Sequence, residues 1–394
     1  MSFIHWLLQE RPRQVLMELD YDDGGTVRTY YLSNGAFVSG PTDTPANMPY
    51  DPYLVGGIEF ERSLGEVFTG LSVSKVSDVS VIANADTLPL LSLAVYGRAI
   101  RVYLGDPSWV KSQFVQIITG ICDGVLPEQT TLKIKFRDTA DRFLTPLLTE
   151  QVSAGVSSGQ LKPLCLGRCF NIKPILLDDA THTYLFNSTP SQAVSAVRFN
   201  GAAVPGSYYS VDLAASTITF NVYPQGDVTM DVDGTVATSW LSTATTFIQW
   251  IATRMGLSAD VVGLPSYQLG LYVTSNISVY AVLDEICASV GAYWYFDRVG
   301  QFAVRVFNGF GAPASELTRD QTVSQSRKPR RIINPLYEIK AVYKRNWTPL
   351  SSIAGSVHEN TPAFAKELAS EGKELTLSQP IKALETSPGG THRK

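Results

Sequence analysis

Three pairs of adjacent carboxylates are the residues of this sequence best suited to acid–base chemistry. The pairs are Asp22-Asp23, Asp178-Asp179 and Asp284-Glu285. A glycosidase needs two such groups, one as the acid and one as the base or nucleophile. Each pair here also has a plain structural explanation: a turn ahead of Gly24, the end of an apolar strand, and the polar side of an amphipathic helix. We therefore predict no catalytic residue among them.

Other catalytic signatures are missing from the sequence. The four histidines are His5, His182, His358 and His392, and none stands in the HExxH spacing of a zinc hydrolase. There is no phosphate-binding GxxxxGK[ST] loop and no GxGxxG fingerprint. The sequence predicts a protein that is not an enzyme, with no catalytic or cofactor-binding residue.

The cysteines are Cys122, Cys165, Cys169 and Cys287, too few for a disulfide scaffold of 394 residues. We expect reduced thiols that lie buried in strands or helices. Three residues separate Cys165 from Cys169, whereas a structural zinc site usually begins with a CxxC-like pair and has a second pair nearby. Two buried thiols are the main interpretation, and a metal at Cys165 and Cys169 is the alternative.

Four consecutive aromatic residues, Tyr293, Trp294, Tyr295 and Phe296, would point to both faces of a strand. Either both faces are covered by the protein's own domain, or one face meets a neighbouring subunit. A stacking platform for sugar or single-stranded nucleic acid is a third interpretation, weakened because basic residues do not alternate with the rings.

Charge is distributed unevenly along the chain. The net charge is −4, which does not favour nucleic-acid binding. The segment from Glu18 to Glu66 is acidic, and the segment from Arg319 to Arg345 is basic. Two such segments could stack neighbouring subunits through complementary faces, or they could be unrelated solvated surfaces. No apolar run approaches the ~20 residues that cross a bilayer, so we expect no stable membrane insertion.

The pattern of short strands and turns predicts a mainly β chain with a few helices, in several domains. Residues 1–150 are predicted to form a β-barrel or sandwich with a hairpin at Asp23-Gly24, closed by a helix at 138–149 that Asp138 caps. A small-residue linker at 151–160 follows.

Residues 160–238 are predicted to form a small all-β module with turns at Asn200-Gly201 and Asp233-Gly234. The predicted third domain, 239–350, is α+β. It contains helices at 243–255 and 278–290, a hairpin at 292–307, a loop at 308–330 and a strand at 336–345. Residues 351–394 are predicted to be a helical and extended tail with a helix at 361–371 and a frayed end.

Three segments resemble the baseplate-hub proteins at the tail tip of tailed bacteriophages. KPLCLGRCFNIKPILLDDATHTYLF (162–186) is similar to their KPxxxGxxxNxxPxLxD stretch. SVYAVLDEICASVGAYWYFDRVGQFAVRVF (278–307) resembles their helix followed by a hairpin, and YEIKAVYKRNWTPL (337–350) their YxRNW strand. Together the segments span much of residues 160–360.

The resemblance implies a structural virion protein located at the tail tip and made in the host cytoplasm. It implies a homotrimer with two tube-type β domains per chain, and these join the tail tube or distal-tail protein above to a tip or central fibre below. Tape-measure protein and DNA would pass through the lumen during DNA ejection. Some such hubs carry an iron–sulfur cluster, which the resemblance would place at Cys165 and Cys169.

Three alternatives stay open at this point. A distal-tail ring would have six copies with one barrel each. A tail-associated peptidoglycan hydrolase would need a carboxylate or Cys–His pair in a cleft. A carbohydrate-binding module would use the aromatic residues at 293–296, above all Trp294.

Overall fold

The structure is a computed structural model that describes residues 3–64, 72–137, 139–306 and 338–378. The chain is mainly β with a few helices, as the sequence predicts. The α-helices are α1 (Phe3–Leu7), α2 (Ala244–Arg254), α3 (Val279–Ser289), α4 (Gly355–Asn360) and α5 (Pro362–Ala369). Short 3₁₀ helices cover Leu88–Leu91, Lys111–Gln113, Thr139–Leu144 and Gly206–Tyr208.

The strands of the first half of the chain are β1 (Gln14–Asp23), β2 (Thr26–Ser33), β3 (Phe37–Val38), β4 (Pro49–Tyr50), β5 (Leu54–Val55), β6 (Phe60–Leu64), β7 (Ser72–Val76), β8 (Val79–Ile82), β9 (Ala99–Gly105), β10 (Val115–Pro127), β11 (Thr131–Arg137) and β12 (Leu164–Ile172). Those of the second half are β13 (Ile175–Asp178), β14 (Thr183–Leu185), β15 (Ser191–Phe199), β16 (Ala202–Ala203), β17 (Tyr209–Asp212), β18 (Thr217–Phe220), β19 (Val228–Thr235), β20 (Ala259–Val262), β21 (Gly270–Val273), β22 (Ala292–Phe296), β23 (Phe302–Val306), β24 (Glu338–Tyr343) and β25 (Lys373–Ser378).

The chain forms two compact units, each discontinuous in sequence. The described residues of unit 1 come from Met1–Leu147, Ile248–Pro265 and Ser278–Phe307. Those of unit 2 come from Leu148–Phe247, Ser266–Ile277 and Asn308–Lys394. The predicted third domain, 239–350, therefore contributes residues to both units. The finer division into four domains stays a prediction.

Unit 1 is built on a seven-stranded antiparallel sheet in the order β2-β1-β9-β10-β11-β8-β5. The predicted hairpin joins β1 and β2 through Gly24 and Gly25, whose φ values of +62° and +94° suit the tight turn. One face of the sheet covers an apolar core that includes Met17, Leu19 and Ile134. Burial alternates along the first half of β11, where Leu132 and Ile134 are buried between half-buried neighbours.

The second part of unit 1 is the helix and hairpin predicted at 278–307. Ser278 caps α3 by accepting a hydrogen bond from the Ala281 amide at 3.2 Å, and Gly291 follows the helix with φ +66°. Helix α3 packs on β22, which pairs antiparallel with β23. On its other side β23 pairs parallel with β20.

Unit 2 contains a five-stranded sheet in the order β16-β15-β19-β12-β21 and a four-stranded sheet in the order β13-β14-β18-β17. Their shared core includes Cys165, Cys169, Phe186 and Met230. The turn predicted at Asn200-Gly201 joins β15 to β16, with φ values of +44° and +82°. Helices α4 and α5 add a small apolar cluster around Leu350 and Leu368.

Two predicted elements are wrong. Asp233-Gly234 is not a turn but lies inside β19, where a Cβ on Gly234 would be 2.1 Å from the Cys165 carbonyl oxygen. Glycine is therefore needed there for close strand packing. The helix predicted at 138–149 is a six-residue 3₁₀ helix, Thr139–Leu144. Pro146 limits its length, because proline disfavours helical conformation in the residue before it.

Some predictions fall outside the described residues: the cap at Asp138, the loop at 308–330 and the frayed end. Helix α5 agrees with the helix predicted at 361–371, and β24 with the strand predicted at 336–345. No helix in the described ranges combines the length and hydropathy needed to cross a bilayer.

Candidate functional site

The three carboxylate pairs singled out from the sequence have structural roles. Asp22 forms an ion pair with Arg98, and Asp23 pairs with Arg28 at 2.9 Å. These bonds hold the turn end of the β1–β2 hairpin.

The second pair caps a turn. Asp178 accepts hydrogen bonds from the Thr181 hydroxyl at 2.7 Å and the Ala180 amide at 2.9 Å. The Thr181 hydrogen bond, followed by that of Ala180, lowers the pKa of Asp178. This is an Asx turn between β13 and β14, as is common for aspartate in tight loops.

The third pair contains the one predicted carboxylate with a raised pKa. Burial raises the pKa of Asp284, and a hydrogen bond from the Trp294 indole nitrogen at 2.6 Å partly offsets it. Trp294 has no exposed surface, so Asp284 satisfies a buried donor on the neighbouring strand. The carboxylate therefore holds the buried Trp294 ring in place.

Histidines and cysteines do not converge on a metal centre among the described residues. In those parts of the chain no three His, Cys, Asp or Glu side chains are grouped so as to hold an ion. The His182 ring packs edge-on against Tyr223 at 5.3 Å, and His392 lies outside the described residues.

Cys165 and Cys169 are the sequence's candidates for zinc or an iron–sulfur cluster. Both lie on β12 with no exposed surface, in the apolar core of unit 2. Burial, and then the neighbouring Cys165, raise the pKa of Cys169, which disfavours the thiolate that metals bind. Two such thiols do not fit the four-ligand requirement of a structural zinc or iron–sulfur site.

The aromatic strand β22 divides its rings between two environments. Trp294 and Phe296 point inward and pack around Phe143 and Phe302, with ring centroids 5.1–6.1 Å apart. Tyr293 and Tyr295 stack on the other face at 5.9 Å and are half-buried. A sugar platform on Trp294 is therefore wrong, because that ring is inside the core.

The acidic segment has mostly internal partners. Glu18, on β1, is 6% exposed and accepts hydrogen bonds from the Tyr50 hydroxyl at 2.8 Å and from Arg101 at 3.1 Å. The Lys111 ammonium lies 3.0 Å from it. The pKa of Glu18 is raised by burial, but the bonds from Tyr50 and Lys111 outweigh this and hold it below the usual value.

Asp20 lies two residues further along the same strand face. Arg101 binds it through both terminal nitrogens, at 2.6 and 2.9 Å. We call Glu18, Asp20, Arg101 and Lys111 the unit 1 charge network. It neutralises part of the acidic segment within the subunit. Residues 319–337 of the basic segment lie outside the described residues, so face-to-face stacking stays a prediction.

Two of the three motif segments meet inside unit 2. The Asn171 side-chain amide donates to the Asn346 Oδ1 at 2.9 Å and to the Thr348 carbonyl at 2.6 Å. The Trp347 amide donates to the Phe170 carbonyl at 3.1 Å. Residues that are 175 positions apart in sequence thus form one buried contact, which we call the asparagine node.

Asn346 also fixes the chain that follows. Its Nδ2 donates to the carbonyls of Glu367, Leu368 and Ser370 at 2.8–3.2 Å. One side chain therefore donates to two carbonyls of the last turn of α5 and to that of the following residue, Ser370, where a helix leaves acceptors without partners. The motif asparagines hold unit 2 together.

A half-open cavity of about 230 Å³ borders the asparagine node. Arg198 and Asp231 form a double hydrogen bond on its wall, at 2.7 and 2.6 Å. Lys344 and Lys373 also line it. Sequence reasoning missed this cavity and the unit 1 charge network, because both depend on strand register. The alternating Glu18 and Asp20 in MELDY, and Asp231 and Asp233 in MDVDG, were the available signals.

No protein-family model and no curated protein matches the chain. Among solved structures, the chain is similar to the 43 kDa tail protein of prophage MuSo2 from Shewanella oneidensis, at 10% identity and a TM-score of 0.33. That match covers 77% of this chain and 58% of the tail protein's chain, so this chain spans less than two thirds of it.

A second match is to a chain of the virion of a native gene transfer agent particle, at 13% identity and a TM-score of 0.25. It covers 62% of this chain and 86% of that chain. Both matches are to proteins of phage-tail or virion type, the class that the sequence motifs resemble. Both TM-scores are below 0.5, so neither match establishes a shared fold.

Proposed function

We propose that this chain is a structural virion protein of a bacteriophage tail tip. It forms a hub ring that joins the tail tube or distal-tail protein above to the tip or central fibre below. The ring surrounds the channel through which tape-measure protein and DNA pass.

The observation that carries this proposal is the asparagine node. The residues that bear the hub resemblance, Asn171 and Asn346, make a contact that organises unit 2 and lies in its interior. A motif of this kind preserves a fold, which suits a protein whose function is its shape. The candidate carboxylates form ion pairs or cap turns as described above, so no observation of comparable weight supports hydrolysis.

Assembly needs a surface that copies of the chain can share, and β2 provides one. It is an edge strand of the seven-stranded sheet. The Ser33 amide and the Tyr31 carbonyl bond to Asp51, so these residues direct their backbone groups away from β1. By the two-residue period of a strand, Val27 and Thr29 direct theirs the same way. An open edge of this kind is a template for pairing with another chain.

The copy number of the purified assembly tests the proposal directly. Mass photometry of the full chain at several concentrations, followed by electron cryomicroscopy, gives the number of copies and the symmetry. A ring of three copies supports the hub. A ring of six assigns the chain to a distal-tail role instead, and a persistent monomer contradicts both.

A proline at Val27 tests the edge. Val27→Pro removes the outward N–H that a neighbouring strand would use, while Val27 is 56% exposed and adds little to the core. We expect monomers with an unchanged circular dichroism spectrum. Val27→Thr keeps the N–H and is expected to assemble normally. Normal assembly of the proline variant would show that β2 is not the contact.

A further inference from the structure

Residues 84–96 of unit 1 cross from the open edge of the seven-stranded sheet to the end of β1. At the edge, the Tyr30 hydroxyl of β2 donates to the Asp86 carbonyl. At the other end, the Asp22 amide of β1 donates to the Ala94 carbonyl at 3.1 Å. The early part of this segment therefore lies beside the stretch of β2 that we propose for assembly.

This segment presents leucines on both of its sides. Leu90 is buried in the unit 1 core, whereas Leu88 and Leu91 of the same 3₁₀ helix are 50% and 43% exposed. Residues three apart in a 3₁₀ helix share one face, so Leu88 and Leu91 form a single apolar surface. We call these two leucines the edge patch.

Two carboxylates lie at the same edge. Asp51 bonds to β2 through its backbone, and Asp86 accepts a hydrogen bond from the Tyr53 hydroxyl at 2.6 Å. Burial, and then the neighbouring Asp86, raise the pKa of Asp51, and no described cation counteracts them. The two like charges therefore favour a partner that brings a positive charge.

Unit 2 contains a ribbon that lacks the support which strands usually need. Strands β24 and β25 pair over six residues each, and neither pairs with another strand in the described ranges. A two-stranded ribbon is marginally stable at best in water, and further strands or an apolar cover stabilise it. The ribbon therefore has backbone groups available for pairing along both of its long sides.

One face of the ribbon is apolar and exposed. Ala341 lies opposite Leu375, and Tyr343 lies two residues further along β24. Residues that are opposite each other or two apart share a face, so Tyr343 and Leu375 are diagonal neighbours on one face. They are 49% and 50% exposed. Lys344, which follows β24, adds an exposed positive charge at the end of the ribbon.

We propose that the β24–β25 ribbon of one copy pairs with the β2 edge of the next copy, and that Tyr343 and Leu375 cover the edge patch. This inference rests on the proposed ring and names the surfaces that close it. A ring needs two different surfaces on each copy, which meet head to tail. The edge and the ribbon are such a pair of surfaces, one on each unit of the chain.

Each surface lacks what the other supplies. The edge has free backbone groups, exposed leucines and two carboxylates, whereas the ribbon has free backbone groups, an apolar face and Lys344. The open stretch of β2, residues 26–30, and the six-residue strands of the ribbon also have comparable lengths. Pairing would give the ribbon a third strand, and burial of the leucines would remove apolar surface from water.

Cysteine cross-linking between two differently tagged chains tests the contact. One chain carries Leu88→Cys, the other carries Leu375→Cys, and a short bis-maleimide joins thiols that lie close together in the mixed assembly. The four native cysteines are buried, so the reagent reacts with the introduced thiols. We expect a cross-linked dimer that contains both tags. Tyr223→Cys in place of Leu375→Cys is the control, since Tyr223 is exposed on unit 2 outside the ribbon.

Loss of the apolar cover is the second test. Leu91→Asp and Leu375→Asp each place a charge in the proposed contact. Mass photometry should show that the concentration at half-assembly rises about tenfold for either variant. Leu213→Asp changes another exposed leucine of unit 2 outside the ribbon, and this control should assemble as the unchanged chain does. Circular dichroism checks that each variant keeps its fold.

Several results would overturn the inference. Rings that give no dimer with both tags, or as much dimer with Tyr223→Cys, would place the contact elsewhere and leave the ring itself standing. A cross-link that forms only within one chain carrying both cysteines would make the contact internal. Unchanged assembly of Leu91→Asp and Leu375→Asp would remove the apolar face from the contact. A chain that stays monomeric at every concentration would contradict both the ring and this contact.

Discussion

Unit 1 buries a carboxylate between two cations, whereas unit 2 joins distant segments through two neutral amides. Glu18 on β1 lies between Arg101 of β9 and Lys111 of the 3₁₀ helix Lys111–Gln113. Asn171 and Asn346 bond directly and satisfy backbone carbonyls around them. A buried ion pair is sensitive to the loss of either partner and to pH. An amide contact depends on geometry alone, because an amide does not titrate.

The largest expected effect is on the unit 1 charge network. Glu18→Ala leaves Lys111, which is 8% exposed, without its carboxylate. Removing one partner of a buried ion pair costs about 3–5 kcal/mol, measured as the free energy of unfolding in urea. The control is Asp23→Ala, at a residue on the same strand as Glu18. It removes an exposed ion pair with Arg28 of β2, and the substitution should lower the free energy of unfolding by less than about 1 kcal/mol. Equal losses would show that Glu18 is solvated in the folded protein.

The asparagine node is the next test. Asn346→Ala leaves the Ser370 carbonyl and the Thr348 amide without their Asn346 partner, and it leaves the Asn171 amide with the Thr348 carbonyl alone. Buried groups without partners cost about 1–3 kcal/mol each, and we expect a total loss of about 2–4 kcal/mol. Asn221→Ala is the control, since Asn221 is exposed and donates to one carbonyl only. Hydrogen exchange should show the loss in unit 2. A loss confined to unit 1 would contradict the node.

Acidic pH should destabilise unit 1 before unit 2. The pKa values of Glu18 and Asp20 are lowered in the folded protein, because hydrogen bonds from Tyr50 to Glu18 and from Arg101 to Asp20 outweigh burial. Their contribution to stability is full above the unfolded pKa values, near 4, and is lost as the pH falls through the lower folded values. Hydrogen exchange between pH 7 and pH 3 should therefore show unit 1 weakening first. Simultaneous weakening of the asparagine node would contradict the comparison.

The smallest effect is expected at an exposed ion pair of unit 2. Lys173 pairs with Asp227 at 2.6 Å, and both side chains are about half exposed. Lys173→Met should change the free energy of unfolding by less than about 1 kcal/mol, because water screens the pair. A larger loss would show that water does not screen this exposed pair.

Local signals predicted local structure well. The helix predicted at 278–290 is present as α3, and the Asp-Gly and Asn-Gly turns at residues 23–24 and 200–201 formed hairpins as expected. Asp233-Gly234 is the same dipeptide as the Asp23-Gly24 turn, but it lies in a strand, where the absence of a side chain on Gly234 allows close packing against the Cys165 backbone. A dipeptide cannot distinguish these two uses, because the difference lies in a strand that is remote in sequence.

The candidate sites were less accessible from sequence. The paired carboxylates were given structural explanations, whereas Glu18 and the Arg198–Asp231 pair were not singled out. Their partners are 33–93 residues away and meet them only once the sheet register is set. The motif residues Asn171 and Asn346 were quoted for their resemblance alone. Their bond could be found only from the three-dimensional structure.

The interleaving of the two units constrains how the chain can fold during synthesis. Strand β12 pairs through residues 164–167 with β21 and through 168–172 with β19. Its Asn171 cannot form its hydrogen bond to Asn346 until that later residue has been synthesised. Unit 1 likewise needs α3 and β22, which the ribosome makes after most of unit 2. Neither unit can close before the last third of the chain emerges, so contacts of long sequence separation make folding slow. Truncation at any single internal point would leave at least one unit incomplete. During synthesis, the exposed strand edges of the partly folded chain would need protection from aggregation.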